Sequence, residues 1–92
     1  MSDRDGAVTS IEELRIQIDE IDEQLVTLLN SRAEKALAIR ALKPAAQMGL
    51  FDPKREEEII ERLSDLNTGP LYADDIRAIY GTILKVSKEM RG

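Results

Sequence analysis

SIEELRIQIDEIDEQLVTLLNSRAEKALAIRALK, residues 10–43, runs from Ser10 to Lys43 without a proline or a glycine. Its apolar residues Leu14, Ile18, Ile21, Leu25, Leu28, Ala36 and Ile39 recur at spacings of three and four, the pattern of a helix that buries one face. Ser10-Ile11-Glu12-Glu13 has the form of a capping box, in which the Ser hydroxyl and the Glu13 carboxylate satisfy free backbone N–H groups reciprocally. The pattern therefore predicts one helix from Ser10 to about Lys43, roughly 50 Å long at 1.5 Å per residue. A helix of that length needs a partner helix to cover its apolar face.

Two long cations lie on that seam. Arg32 falls between Leu28 and Ala36, and Lys43 follows it about three helical turns later, so both project to nearly the same side. A buried, unpaired charge is strongly unfavourable, and such residues take an anionic partner. The partner could be structural: a carboxylate of a neighbouring helix for Arg32, and the last carbonyls of the helix for Lys43. It could equally be an anionic ligand. The two positions stand roughly 16 Å apart along the axis, within joint reach of an anion of metabolite size. Arg15 precedes Arg32 by about 25 Å and points roughly 100° away, so it cannot join the same site within one chain, whereas an antiparallel second copy could bring it there.

Downstream the punctuation is clear. Pro44 ends the first helix, and Pro44 to Phe51 is a loop containing Gly49. Asp52-Pro53 opens a second helix, with Asp at the N-cap and Pro at the first helical position. It carries Ile59, Ile60, Leu63 and Leu66 and stops at Asn67-Thr68-Gly69-Pro70. A third helix starts near Ala73 to Asp75, with the stripe Ile76, Ile79, Tyr80, Ile83, Leu84, Ser87, Met90 and Arg91. Arg55 lies one turn before Ile59 and so continues an inward face, while Ser87 and Arg91 are spaced one turn apart at the end of the third helix. The expected architecture is all-α, one long helix and two shorter ones, with residues 1–9 a flexible N-terminal segment and residues 10–92 a single domain.

Composition narrows the chemistry. At 92 residues the chain is one small domain whose helices enclose little core alone, so association with a second copy is expected. A net charge of −5 argues against nucleic acid or an anionic membrane as partner. The absence of Cys and His removes disulfides, thiolate nucleophiles, Ser-His-Asp triads and the usual zinc sites. Met1 to Thr9 has no apolar core of a signal peptide, and no apolar run approaches the roughly 20 residues that span a bilayer. The expectation is a soluble cytoplasmic protein that needs no cofactor or metal. What remains is a pocket of guanidinium and ammonium groups with a few carboxylates. Such groups clamp a small dicarboxylate and stabilise charge developing in a transition state, which suits a unimolecular rearrangement.

The run Leu14-Arg15-x-x-Ile18-Asp19-x-Ile21-Asp22-x-x-Leu25-x-x-Leu28-Leu29-x-x-Arg32 resembles the first helix of the all-helical class of chorismate mutases. Lys43, then Phe51-Asp52-Pro53-x-Arg55-Glu56, then a Gly-Pro turn and a helix ending near Ser87, follow in that family's order, so the resemblance covers about residues 10 to 91. It implies an intertwined helical homodimer, without a cofactor, that converts chorismate to prephenate by a Claisen rearrangement in phenylalanine and tyrosine synthesis. It further implies that Arg15 of one subunit binds a substrate carboxylate in the other subunit's site, and that Arg32 binds a carboxylate within its own. Lys43 donates to the ether oxygen and a carboxylate, Arg55 orients the site, Asp52 and Glu56 contact the substrate hydroxyl and ring edge, and Ser87 contacts a carboxylate. Ile39 and Leu84 form apolar walls.

One position departs from the pattern. The family usually places Gln or Glu one turn after the Ser of the third helix, facing the ether oxygen; here that position holds Arg91. Two other functions stay open on the residues alone. An isochorismate pyruvate-lyase forming salicylate uses a similar cationic pocket, and a non-catalytic helical dimerisation or regulatory module needs no pocket. The complete Asp52, Arg55 and Glu56 set favours the mutase, and dimerisation alone gives no reason to put Arg32 and Lys43 on an apolar face.

Overall fold

A computed structural model describes residues 3–49 and 51–91. Among the described residues the regular elements are three helices, α1 (Asp3–Leu42), α2 (Pro53–Leu66) and α3 (Ala73–Glu89), with no strand, as the all-α reading expects. The chain divides into two units, Met1–Lys35 and Ala36–Gly92.

In the first unit α1 starts at Asp3, seven residues before the expected Ser10. Asp3 and Asp5 lie in its first turn, where carboxylates favour the positive end of the helix dipole. The Thr9 hydroxyl donates to the Asp5 carbonyl at 3.1 Å, so the residues before Ser10 are already helical. The Ser10 capping box is therefore bypassed: a helix that continues upstream leaves no free N–H groups there to cap. A second difference concerns burial. Leu14, Ile18, Ile21, Leu25 and Leu28 are 50–64 % exposed in the single chain, and no residue of α1 is buried. The stripe has the spacing of a buried face, yet its residues are exposed.

The second unit holds the end of α1, α2 and α3. Pro44 cannot donate to the Arg40 carbonyl, and regular helix stops at Leu42 as expected. The chain then makes one more turn: Gln47 donates to the Pro44 carbonyl at 3.1 Å and Met48 to the Lys43 carbonyl at 2.9 Å. That pairing is a Schellman closure, and the left-handed residue it requires is Gln47 at φ 59°, not Gly49. Helix α2 begins as its residues dictate, with the Asp52 carboxylate accepting from the Arg55 backbone N–H at 3.0 Å and Pro53 in the first turn. It ends at Asn67, whose side-chain oxygen accepts from the Gly69 N–H at 3.3 Å and whose amide donates to the Leu71 carbonyl at 2.6 Å. Gly69, at φ +89°, takes the left-handed conformation that a side chain would strain. Helix α3 starts with the Asp75 carboxylate accepting from the Tyr72 N–H at 2.8 Å.

The core sits between α2 and α3, where Ile59, Ile60 and Leu84 are buried and Leu63 and Tyr80 pack against them. Across the same pair of helices Arg77 grips Glu57 with both terminal nitrogens, at 2.6 and 3.1 Å. The hydrogen bonds from Arg77 hold the Glu57 carboxyl below its ordinary pKa, against an opposing effect of desolvation. Because the folded value is lowered, the stabilisation is complete above the unfolded carboxyl range of about 4.3 and disappears as pH falls through the folded value. Glu57→Gln should therefore lower the melting temperature slightly at neutral pH, and the two melting curves should converge in acid. Both side chains are about half exposed, which keeps the effect small. A gap between the curves that persists at low pH would assign the loss to packing instead.

Candidate functional site

The second unit gathers most of the expected site residues around the end of α1, the start of α2 and the end of α3. Lys43 follows α1 directly, is half-buried, and has its N–H bonded to the Ile39 carbonyl at 3.0 Å, so its backbone is held from both sides. Asp52 is half-buried and its Oδ1 is engaged by the backbone of Arg55, which ties the N-cap to the register of the first turn of α2. Arg55 is exposed, in the first turn of α2 and one turn before buried Ile59.

Glu56 is half-buried, and its carboxylate lies 3.1 Å from the Lys88 ammonium of α3. The same ammonium sits 4.8 Å from the centre of the Phe51 ring, within cation–π range. Lys88 is a residue that sequence reasoning missed. It spans from the residue after Ser87 to the first turn of α2, and it fixes where the Glu56 carboxylate points. A Lys adjacent in sequence to a site Ser carries no periodicity signal, because consecutive helix residues face different ways.

The other missed residue is Arg40. Its guanidinium donates to three carbonyls at the end of α3: Met90 at 2.7 Å, Ser87 at 2.6 Å and Lys88 at 3.4 Å. These are among the terminal carbonyls that no helical N–H can reach, so a half-buried cation satisfies them in place of water. In the sequence Arg40 stands about 60° of helix rotation from Lys43, off the Arg32 to Lys43 seam, which is why the periodicity does not select it. Its one visible signal is being the single charge in the otherwise apolar run Ala36-Leu37-Ala38-Ile39-Arg40-Ala41-Leu42.

The end of α3 differs from expectation at Arg91. Helix α3 stops at Glu89, Met90 is extended at φ −61° and ψ 141°, and exposed Arg91 follows it. Arg91 thus lies beyond the helix rather than one helical turn after Ser87, and the Ser87, Lys88 and Met90 carbonyls accept from Arg40. Ser87 remains in the helix and half-buried. Of the two expected apolar walls, Leu84 is buried against Ile59 and Ile60, while Ile39 is 56 % exposed.

The first unit carries Arg15 and Arg32. Arg15 is exposed and donates to Glu12 at 3.0 Å along its own helix, a pairing that water and salt weaken and a stronger anion displaces. Arg32 is half-buried on the seam after Leu28. Among the described residues no group of carboxylates is arranged to hold a metal ion, and no helix is long and apolar enough to cross a membrane. Within the second unit alone, Lys43, Arg55 and Ser87 stand with two carboxylates, Asp52 and Glu56, groups that can bind and orient an anionic small molecule and stabilise negative charge on an oxygen.

The family model that matches the chain is chorismate mutase type II, over residues 14–91. Among solved structures, form II of the chorismate mutase from Thermus thermophilus superposes with a TM-score of 0.85 at 31 % identity, covering 88 % of this chain and 92 % of that one. A chorismate mutase from Helicobacter pylori, solved in complex with prephenate, superposes with a TM-score of 0.80 at 34 % identity, covering 88 % of each chain. Among curated proteins, a bifunctional chorismate mutase/prephenate dehydratase of Aquifex aeolicus (strain VF5) is 44 % identical over 57 residues, 62 % of this chain. The bifunctional protein of the same description from Neisseria gonorrhoeae (strain ATCC 700825 / FA 1090) is 36 % identical over 70 residues, 76 % of this chain. The chain spans only 16 % and 19 % of those two longer proteins.

Proposed function

We infer the function from the fact that this chain belongs to the chorismate mutase type II family: it rearranges chorismate to prephenate, a step toward phenylalanine and tyrosine. The observation that carries the inference is that the family match, over residues 14–91, spans the whole ordered set from Arg15 through Arg32, Lys43, Asp52, Arg55, Glu56 and Ser87 to Arg91. The relative of Helicobacter pylori solved with prephenate supports the substrate class.

The reaction breaks one C–O bond and makes one C–C bond within a single molecule, with no proton, electron or group exchanged. Catalysis then consists of holding the flexible side chain over the ring and stabilising the negative charge that gathers on the ether oxygen. Arg32 and Ser87 hold substrate carboxylates, Lys43 donates to the ether oxygen and a carboxylate, and Arg55 orients the site. Asp52 and Glu56 receive the hydroxyl and ring edge, and Ile39 and Leu84 supply apolar wall. No cofactor or metal is called for by this chemistry.

The active form is an intertwined homodimer. Its support is the apolar stripe of α1, left open in the single chain, which a second copy of the same helix covers with the same spacing. Arg15 is then the partner's contribution to each site, since it stands about 25 Å from Arg32 along α1 and turned away from it. Nothing in the sequence calls for nucleic acid or membrane as a partner, and the protein acts in the cytoplasm.

Arg91 replaces the usual Gln or Glu of the family and lies exposed beyond α3. Arg91→Gln should leave turnover unchanged or raise it, because exposed Arg91 stands off the helical path from Ser87 and its replacement only removes a positive charge from the end of α3. A large loss in that variant would show that the guanidinium has been recruited. The function itself is tested by offering chorismate and isochorismate in parallel. Prephenate from the first without salicylate from the second is expected, and salicylate as the main product would assign the chain to the lyases.

A further inference from the structure

We propose that Arg40 is a positioning residue for the reaction: its guanidinium sets the end of α3, and with it the placement of Ser87 and Arg91, against the end of α1 that carries Lys43. The proposal rests on the mutase reading for its catalytic half and on geometry alone for its structural half.

Three observations converge on Arg40. It donates to the carbonyls of Ser87, Lys88 and Met90, at 2.6, 3.4 and 2.7 Å, so one side chain reaches across the terminal turn of α3. It is half-buried, so these bonds compete with less water than a surface pair would. It stands three residues before Lys43, which follows α1 directly and keeps a helix-like bond from its N–H to the Ile39 carbonyl at 3.0 Å, so the two residues are turned from one another by about 60°. The consequence is a rigid link: the residue proposed to stabilise the breaking C–O bond and the residue proposed to hold a carboxylate are connected through one guanidinium.

The chemistry also explains why the group is Arg. A planar guanidinium presents five N–H donors in a fixed fork, whereas an ammonium is a point charge that satisfies fewer carbonyls at fixed angles. Both cations complement the negative end of the α3 dipole. Electrostatic capping alone would therefore accept Lys, and positioning would not. The clamp also accounts for the exit at Met90, whose carbonyl Arg40 holds and whose extended backbone sends Arg91 away from the helical path.

The experiment compares wild type, Arg40→Lys and Arg40→Ala as purified dimers well below their melting temperatures. The first readout is 15N relaxation of the backbone amides of residues 87–91, which needs no substrate. Both variants should show increased mobility there, Arg40→Ala more than Arg40→Lys. The second readout is steady-state turnover of chorismate. Displacing a binding group by an ångström or so costs on the order of 10- to 100-fold, so kcat should fall by about that factor in Arg40→Ala and by about tenfold in Arg40→Lys, with KM less affected. Guanidinium chloride at low millimolar concentration should restore part of the activity of Arg40→Ala and none of that of Arg40→Lys. Wild-type kcat in a folded Arg40→Lys dimer, with an ordered segment 87–91, would overturn the proposal and leave Arg40 a helix cap only. Failure of the wild-type chain to turn over chorismate would defeat the mutase reading and the catalytic half with it, while the relaxation data would still decide the anchoring.

Discussion

Lys43→Ala should lower kcat by about three orders of magnitude while the dimer stays folded, since a charge aimed at a developing oxyanion is worth on the order of 10²- to 10³-fold even when it is one donor among several. The Lys43 backbone is held on both sides, by the Ile39 carbonyl at its N–H and by the Met48 N–H at its own carbonyl, so the ammonium swings from a fixed base. The side chain is half-buried, at a place where water weakens its field less than at an open surface. In the proposed mechanism its removal takes away an interaction that strengthens as the C–O bond breaks, so the loss should fall mainly on kcat and less on KM. Circular dichroism and sedimentation would establish that the variant is still a helical dimer. Near-normal turnover would remove Lys43 from the mechanism, and a loss confined to KM would make it a ground-state binding group.

The second large effect is expected from the proposed sharing of each site between two subunits. Arg15→Ala and Arg32→Ala should each abolish most activity as homodimers, because every site then lacks one carboxylate clamp. Mixed after unfolding and refolded together, they should recover it in part. In a heterodimer one site carries both substitutions and the other carries neither, so random pairing restores about a quarter of wild-type activity. Tagged subunits purified as heterodimers should reach about half. No recovery in verified heterodimers would mean that Arg15 serves its own subunit or none, and the exposed stripe on α1 would then need another explanation.

Much of this is legible in residue order because it depends on local chemistry. Asp52-Pro53 starts α2 where its cap and its missing N–H require, and Asn67 with Gly69 ends it through short-range hydrogen bonds. The spacing of Leu14, Ile18, Ile21, Leu25 and Leu28 identifies the apolar face of α1 without revealing what covers it, since periodicity reports a face and not its partner. The start of α1 departs from the expected one for a related reason. A capping box at Ser10 stabilises a helix end only if the helix ends there, and Asp3, Asp5 and Thr9 extend it upstream.

Arg40 is invisible in the sequence because its bonds to the Ser87, Lys88 and Met90 carbonyls join residues 47 to 50 positions apart, and no window along α3 contains that information. Lys88 is hidden likewise, because its bond to Glu56 and its position over Phe51 exist only once α2 and α3 are packed. Residues that bind through their own element can be read in advance, and residues that act by joining two elements cannot.

The most direct test is to follow the loss of chorismate with the purified chain and identify the product by proton NMR. Stoichiometric prephenate, formed far faster than in the uncatalysed control, is the expected result. A folded helical dimer that leaves chorismate at the uncatalysed rate would contradict the assignment of this chain as a mutase.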